Sequence, residues 1–484
     1  MGVIISVSTW SACECPSGGQ SFAIFSSPAK NRALKFQFYL GAKDLTSPGH
    51  TGCEHMIGGI LMRLRLNYPL VLVLLSGLSG CDEPVELSDF AMTETTQLPL
   101  SPTNRYADDP LAARFGHALF FDPRMSADGR VSCASCHDPD HAFADPGRVS
   151  EGAFGRVGTR HAPSLINVAF NRFQLWDGRA DSLWAQPIQA LEDPLEGDFT
   201  RTELAHFIAQ EYGASYAQIF GPLPSLDTIP SRAKPGDRAW ATMDPIERDI
   251  VNRIAANVGK AIEAFERTLT CTDTLFDRSV RGEVALSALA QRGAEIFMNS
   301  EAAGCVECHS GPNFTDGAFH NLGLDHPPGE PDRGHVDGIV ALLDDHLNGM
   351  SSYSDDPVFG AERLDVLGRN RGRALGAFKT PGLRGVAQRD RFGHLGHERD
   401  LERWIDRVYD RRRVGGADPR GRGGRRGQGT NPPGDHRNFV GRLSPEFPRG
   451  VDGGEARALA AFLRTLNCPP LPAHLTRPPT GTRL

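Results

Sequence analysis

The chain has 484 residues, with 52 Lys and Arg against 59 Asp and Glu and a net charge of −7 at neutral pH. Charges of both signs are interspersed, so composition gives no reason to expect a nucleic-acid partner. Beyond an irregular start, about 400 residues remain, enough for two or three domains.

Residues 1–61 read as upstream sequence that the working protein lacks. The first 55 are Gly- and Ser-rich and scatter Cys13, Cys15 and Cys53, so translation is expected to start at Met56 or Met62. Residues 62–81, "MRLRLNYPLVLVLLSGLSGC", read as a lipoprotein signal. Arg63 and Arg65 give a basic start. The apolar run 70–75 is short for a membrane span, and Leu78, Ser79, Gly80 and Cys81 resemble a lipobox. This predicts a periplasmic protein anchored by lipid at Cys81, with no other membrane contact. Residues 82–109 begin as an acidic, Pro-containing stretch and read as a linker.

"VSCASCHDPDHAFAD" holds Cys133, Cys136 and His137 in five positions. A Cys-x-x-Cys pair can bind zinc, shuttle disulfides or add to the vinyl groups of a haem. A histidine directly after the second cysteine favours the haem. A second complete unit, Cys305, Cys308 and His309, lies far along the chain in "GCVECHS". Two complete and distant units read as two covalent haem c groups, with His137 and His309 as proximal ligands, rather than as one shared zinc site.

Between them, "DPIERDIVNRIAANVGKAIEAFERTLT" predicts a long helix over 245–269. Asp244 can cap it, Pro245 suits the first turn and Glu247 completes a capping box. Ile250, Ile254, Val258, Ile262, Phe265 and Leu269 form one apolar stripe. Near the end, "EARALAAFLRTLN" repeats the pattern with Leu459, Phe462, Leu463 and Leu466. Gly- and Pro-rich loops follow each haem motif, and alternating strand patterns are almost absent. The expected fold is all-α: two cytochrome c-like helical domains, 110–270 and 271–470, each wrapped around one covalent haem c, with a tail at 471–484. The halves read as a diverged duplication. Residues 411–435, Arg- and Gly-rich without periodicity, read as a solvated loop; a docking patch for an acidic donor protein is the other reading. Cys271 and Cys468 are left over, either as a disulfide or as two separate thiols.

From about 110 to 467 the chain resembles the bacterial di-haem cytochrome c peroxidases and their relative MauG. The resemblance is carried by "HALFFDPRMSADGRVSCASCH", "APSLINVAFNRFQLWDGRADSLWAQ", "RGAEIF", "CVECHSGPNFTDGAFHNLGL", "GAFKTPGLRGV" and "LAAFLRTL", in the family's order and spacing. It implies that the first haem meets peroxide and the second passes electrons. Trp176 matches the family's bridging Trp, and Gln186 and Glu196 follow at the spacing of its distal Gln and Glu. The chemistry agrees: O–O cleavage needs a base to take a proton from one oxygen and return it to the other, and a desolvated carboxylate suits that work. Alone, Glu196 would read as a surface carboxylate and Trp176 as core.

Three departures stand out. In family members that need reductive activation, a loop histidine caps the first iron; its place here falls near Ala153, with no histidine between His141 and His161. The family's calcium uses an Asn where this chain has His161, and carbonyls from a stretch that here reads "RDRFGH", Arg389 to His394, so calcium is not expected. For the second haem's sixth ligand, the helix "DLERWIDRVYD" offers Val408 in strict register and Tyr409 beside it; the reading is Tyr409, with Met350 as the alternative.

The resemblance therefore implies an oxidoreductase that reduces hydrogen peroxide with electrons from a small periplasmic donor, a cytochrome c or cupredoxin. A homodimer is a further expected partner state. The alternatives are a MauG-like oxidase acting on a partner protein's side chains, and a di-haem electron carrier without catalysis, for which an acid–base pair would have no use.

Overall fold

The computed structural model describes the backbone of 60–62 and 73–75, and residues 87–93, 96–300, 303–324, 332–365, 367, 374–409 and 450–479. Residues 1–83 and 84–484 are separate units. In the first, β1 (Ile60–Met62) pairs antiparallel with β2 (Val73–Leu75). Cys81 and the Arg- and Gly-rich stretch 411–435 lie outside the described residues.

The second unit is helical: α1 (Pro110–Phe120), α2 (Cys133–Cys136), α3 (Gln186–Glu192), α4 (Arg201–Glu211), α5 (Gly213–Phe220), α6 (Arg238–Thr242), α7 (Pro245–Glu266), α8 (Leu275–Val280), α9 (Ala288–Met298), α10 (His335–Asp344), α11 (Pro357–Asp365), α12 (Leu401–Tyr409), α13 (Gly453–Arg464) and α14 (Ala473–Thr476). Among the described residues its one ladder is a two-residue antiparallel pair, β3 (Phe319–His320) with β4 (Phe378–Lys379). The long predicted helix is α7. Its capping box forms as expected, with Asp244 accepting from Ile246 N at 2.8 Å and Glu247 accepting from Asp244 N at 3.0 Å.

Two helix pairs build the two halves in the same way. In the first, α1 crosses α7 so closely that a Cβ on Gly116 would stand 1.8 Å from the carbonyl oxygen of Ala261. In the second, α9 crosses α13, and a Cβ on Gly293 would stand 2.0 Å from that of Ala458. Only glycine permits either crossing. The partner helices end in matching sequences, "AFERTLTC" at 264–271 and "AFLRTLNC" at 461–468. In each, the threonine hydroxyl donates back to the phenylalanine carbonyl, at 2.7 Å for Thr268 and 2.6 Å for Thr465. The repeated "PSLINVA" (163–169) and "PGLRGVA" (381–387) then dock on these ends: Asn167 N donates to Leu269 O at 2.8 Å and Gly385 N to Leu466 O at 2.9 Å. The leftover cysteines occupy equivalent places in the two halves and form a disulfide, Cys271–Cys468.

The stretches expected as linker and tail are both structural. Phe90 is buried in the second half's core, Met92 is buried beside Asn167, and Leu471 and Leu475 pack on the first half's core. The strap at 87–93 is held by a buried ion pair. Arg384 donates two hydrogen bonds to Asp277, at 2.7 and 2.8 Å, and a third to Phe90 O at 2.9 Å, while Asp277 also accepts from Met92 N at 2.8 Å. The two side chains are 1% and 0% exposed. Such a pair adds little net stability, but losing one partner strands a buried charge. Asp277→Ala should therefore destabilise the holoprotein by about 3–5 kcal/mol in denaturant titration, and Asp277→Ala combined with Arg384→Met by less.

Candidate active site

Two cavities flank the middle of the molecule. The first is lined by Cys133, Cys136, His137, Gln186 and Glu196, the second by Cys305, Cys308, His309 and Tyr409. Trp176 lines both. Met350 lines neither. It is exposed on the segment after α10, which is fastened to the first half by Gly349 N donating to Asp181 (2.7 Å) and by the Lys260–Asp355 pair (2.7 Å). The Met350 alternative for the sixth ligand is corrected accordingly.

Each Cys-x-x-Cys-His unit closes one tight turn, with the histidine N–H donating to the first cysteine's carbonyl at 2.8 Å in both. His137 Nδ1 lies 3.2 Å from Phe143 O and His309 Nδ1 2.9 Å from Phe314 O. A ring that donates from Nδ1 keeps its Nε2 lone pair for a metal. Burial disfavours the imidazolium of both rings, which keeps that lone pair available. None of the four thiols is in a disulfide; burial pushes those of Cys136 and Cys305 up to about 11 and that of Cys133 higher still. Two unoxidised thiols and one oriented imidazole at each cavity are a donor set that fits a covalently held haem in each.

Gln186 opens α3, and the turn after that helix carries Glu196. Burial pushes the Glu196 carboxyl up to about 7, with Asp193 adding to the effect and Arg179 opposing it. The loop 150–158 is pinned against it. Glu151 bridges Val157, Gly152 N donates to Arg156 O at 2.7 Å, and Ala153 N donates to Glu196 O at 2.7 Å. Gly152 makes the approach possible, since a Cβ there would stand 2.2 Å from Leu195 O and 2.5 Å from Glu196 O. Ala153, at the place of the family's loop histidine, is fully buried. His141 is at the surface, ion-paired with Asp390.

The wall between the cavities is made by equivalent residues of the two repeats, exchanged. Trp176 and His394 hold corresponding places, as do His161 and Lys379. Lys379 N donates to Trp176 O at 2.8 Å, and His161 N donates to His394 O at 2.9 Å. Trp176 Nε1 adds a bond to His161 O at 2.8 Å, and its ring meets that of His394 edge-on at 6.3 Å between centroids. His161, Lys379 and Arg389 line both cavities with Trp176. Burial pushes His161 down to about 4 and Lys379 down to about 7.

Tyr409, at the end of α12, donates its hydroxyl to Ala303 O and lies 3.3 Å from Cys305 Sγ. Sequence reasoning missed Lys379, Arg389 and Glu266. Glu266 is buried in the first cavity's wall, with one carboxyl oxygen unpartnered among the described residues and its pKa raised to about 8 by burial and by Glu263. A charged residue inside the apolar end of α7 was the signal for it. It missed His320 as well, which with Asp316 and Cys308 places three ligand atoms within 4.8 Å of one another.

The family model described as di-haem cytochrome c peroxidase matches residues 110–285. The chain is 30% identical over 366 residues to the cytochrome-c peroxidase IdrP2 of Denitromonas iodatirespirans, covering 74% of this chain and 81% of that protein. It is 35% identical over 217 residues to the methylamine utilization protein MauG of Methylorubrum extorquens, covering 44% of this chain and 54% of that one. The crystal structure of the diheme peroxidase BthA from Burkholderia thailandensis E264 superposes with a TM-score of 0.55 at 25% identity, over 78% of this chain and 90% of that one. With two haem-ligand units, a shared wall and this degree of similarity, the chain belongs to the di-haem cytochrome c peroxidase family.

Proposed function

We propose that this protein is a di-haem c peroxidase that reduces hydrogen peroxide to water with electrons from a small redox protein. One observation carries the reading: a buried carboxyl, Glu196, and an amide, Gln186, share a cavity with Cys133, Cys136 and His137, while Trp176 stands in the wall to a second such cavity. Cys133 and Cys136 would hold the first haem and Cys305 and Cys308 the second, as thioethers, with His137 and His309 as proximal ligands. When bound, the first haem supplies the iron on which the O–O bond is cleaved.

The net reaction takes two electrons and two protons per peroxide and gives two waters. Glu196 would take the proton from one peroxide oxygen and return it to the other, which leaves as water. Gln186 orients the peroxide by hydrogen bonding. Trp176, held by its bond to the His161 carbonyl, gives electrons an aromatic path across the wall. The disulfide Cys271–Cys468 supports an oxidising compartment, which we read as the periplasm; the proposed lipid anchor at Cys81 rests on the lipobox-like sequence alone. Tyr409 would be a further ligand to the second haem; its presence in that cavity, with the imidazole-free loop at the first, favours as second reading a MauG-like oxidase acting on a partner protein.

Three tests follow. Glu196→Gln keeps size and removes the base, so mass spectrometry should show both haems attached while peroxide turnover falls by about 10²–10⁴-fold. In the unaltered enzyme, turnover should rise with pH through about 7, because the base works only when ionised; unchanged turnover in the variant would return Glu196 to a structural role. Trp176→Phe should leave haem loading intact and slow electron transfer between the haems in stopped-flow spectra. The loop 150–158 carries no imidazole and is tied to the Glu196 backbone, so the first haem should be high-spin in the fully oxidised protein and react with peroxide without prior reduction. A low-spin bis-histidine signal there by electron paramagnetic resonance, lost on one-electron reduction, would refute this.

A further inference from the structure

Four buried cations elsewhere among the described residues have carboxylate partners. Arg201 pairs with Glu192 at 2.7 Å, Lys260 with Asp355 at 2.7 Å, Arg267 with Asp108 at 2.8 Å and Arg384 with Asp277 at 2.7 Å. Two cations in the wall between the cavities are different. Lys379 is 7% exposed, and its ammonium donates to the carbonyl of Phe173 at 3.0 Å. Arg389 donates from one terminal nitrogen to the carbonyls of Gly382 and Arg384, both at 3.1 Å, and its Nε is out of solvent contact without a partner. Among the described residues neither has a carboxylate within ion-pair distance.

A buried cation held by carbonyls alone is costly, because carbonyl dipoles replace only part of its hydration. Burial lowers the pKa of the Arg389 guanidinium to about 10; for Lys379, burial outweighs the charge of Asp177. Both residues line both cavities. The pseudo-symmetric counterpart of Arg389 is Asn171, which lines the first cavity and carries no charge, so the positive charge is an asymmetric addition to a repeated frame. The anion that fits must be part of what fills the cavities, must be planar and must reach the wall from inside. A haem edge carries two such groups, its propionate carboxylates, and a guanidinium fork matches a carboxylate in two parallel hydrogen bonds.

We propose that Arg389, with Lys379 beside it, is a carboxylate-binding site shared by the two cofactors, pairing with propionates from both cavities and acting as the fixed positive charge between them. This rests on the haem reading above. It also makes the wall's charge part of the polypeptide, so that no divalent cation is needed there. The group's second consequence is on potential: a positive charge beside both irons disfavours oxidation of each, so both haems share one electrostatic control.

The test is potentiometric titration of the holoprotein, with haem loading measured by mass spectrometry. Arg389→Met should load both haems and lower both midpoint potentials, and Arg389→Lys should restore most of the shift. If Arg389→Met does not fold, Lys379→Met is read in the same way. Unaltered potentials in a fully loaded Arg389→Met protein overturn the proposal, and a shift confined to one haem overturns the sharing. Prolonged treatment of the wild type with EGTA should change neither potential; loss of a stoichiometric metal with a fall in both would assign the charge to a bound ion instead, and so overturn it. Failure of the wild type to carry two haems would sink the haem reading itself and is read from the mass alone.

Discussion

The structure depends on a pair of crossed backbone hydrogen bonds at its centre. Lys379 N–H reaches the Trp176 carbonyl, and His161 N–H reaches the His394 carbonyl. Because Trp176 and His394 are equivalents in the two repeats, as are His161 and Lys379, one contact made twice joins the halves. It leaves an indole, two imidazoles and two cations in the wall between two cavities. Net gains of about 1 kcal/mol per hydrogen bond would not hold two halves together. The cores around α7 and α13, the buried Arg384–Asp277 pair and the Cys271–Cys468 disulfide supply the rest.

The same frame holds different chemistry on its two sides. On the first, the turn after α3 brings a carboxyl into the cavity, and the loop carrying Ala153 locks against that carboxyl's own backbone. A base whose pKa lies near neutrality and whose main chain is fixed is ready for proton transfer without reorganisation. On the second, α12 brings Tyr409 and Trp404. The two repeats frame two equivalent cavities, and the residues that line them away from the Cys-x-x-Cys-His units differ.

Much of this was legible in the sequence because it rests on local chemistry. The two ligand units, the capped helix α7 and the all-α class follow from spacing and periodicity alone. Gln186, Glu196 and Trp176 needed the family's spacing, since each taken singly reads as surface or core. What was not legible depends on tertiary juxtaposition. The stretch 87–109 has linker composition, yet Phe90 and Met92 are core, because Arg384 and Asp277 meet its backbone from the other end of the chain. Met350 could be weighed as a ligand only until the segment bearing it was seen fastened to Asp181. Cys271 and Cys468 could not be paired by separation in sequence, but their equivalence in the two repeats explains why a pseudo-twofold arrangement brings them together.

The departures from exact repetition are where function concentrates. Where repeats coincide, as in Gly116 and Gly293 or Thr268 and Thr465, the residues serve packing and closure. Where they diverge at the wall, as in Trp176 against His394, His161 against Lys379 and Asn171 against Arg389, the residues differ in redox activity, titration and charge. A symmetric wall would give electrons no preferred direction. The wall sets an oxidisable indole from the first repeat against cations from the second, and Glu196 and Gln186 line the first cavity alone, so the two cavities are chemically unequal. That inequality is what an enzyme needs if electrons are to enter at one cofactor and oxygen chemistry is to occur at the other.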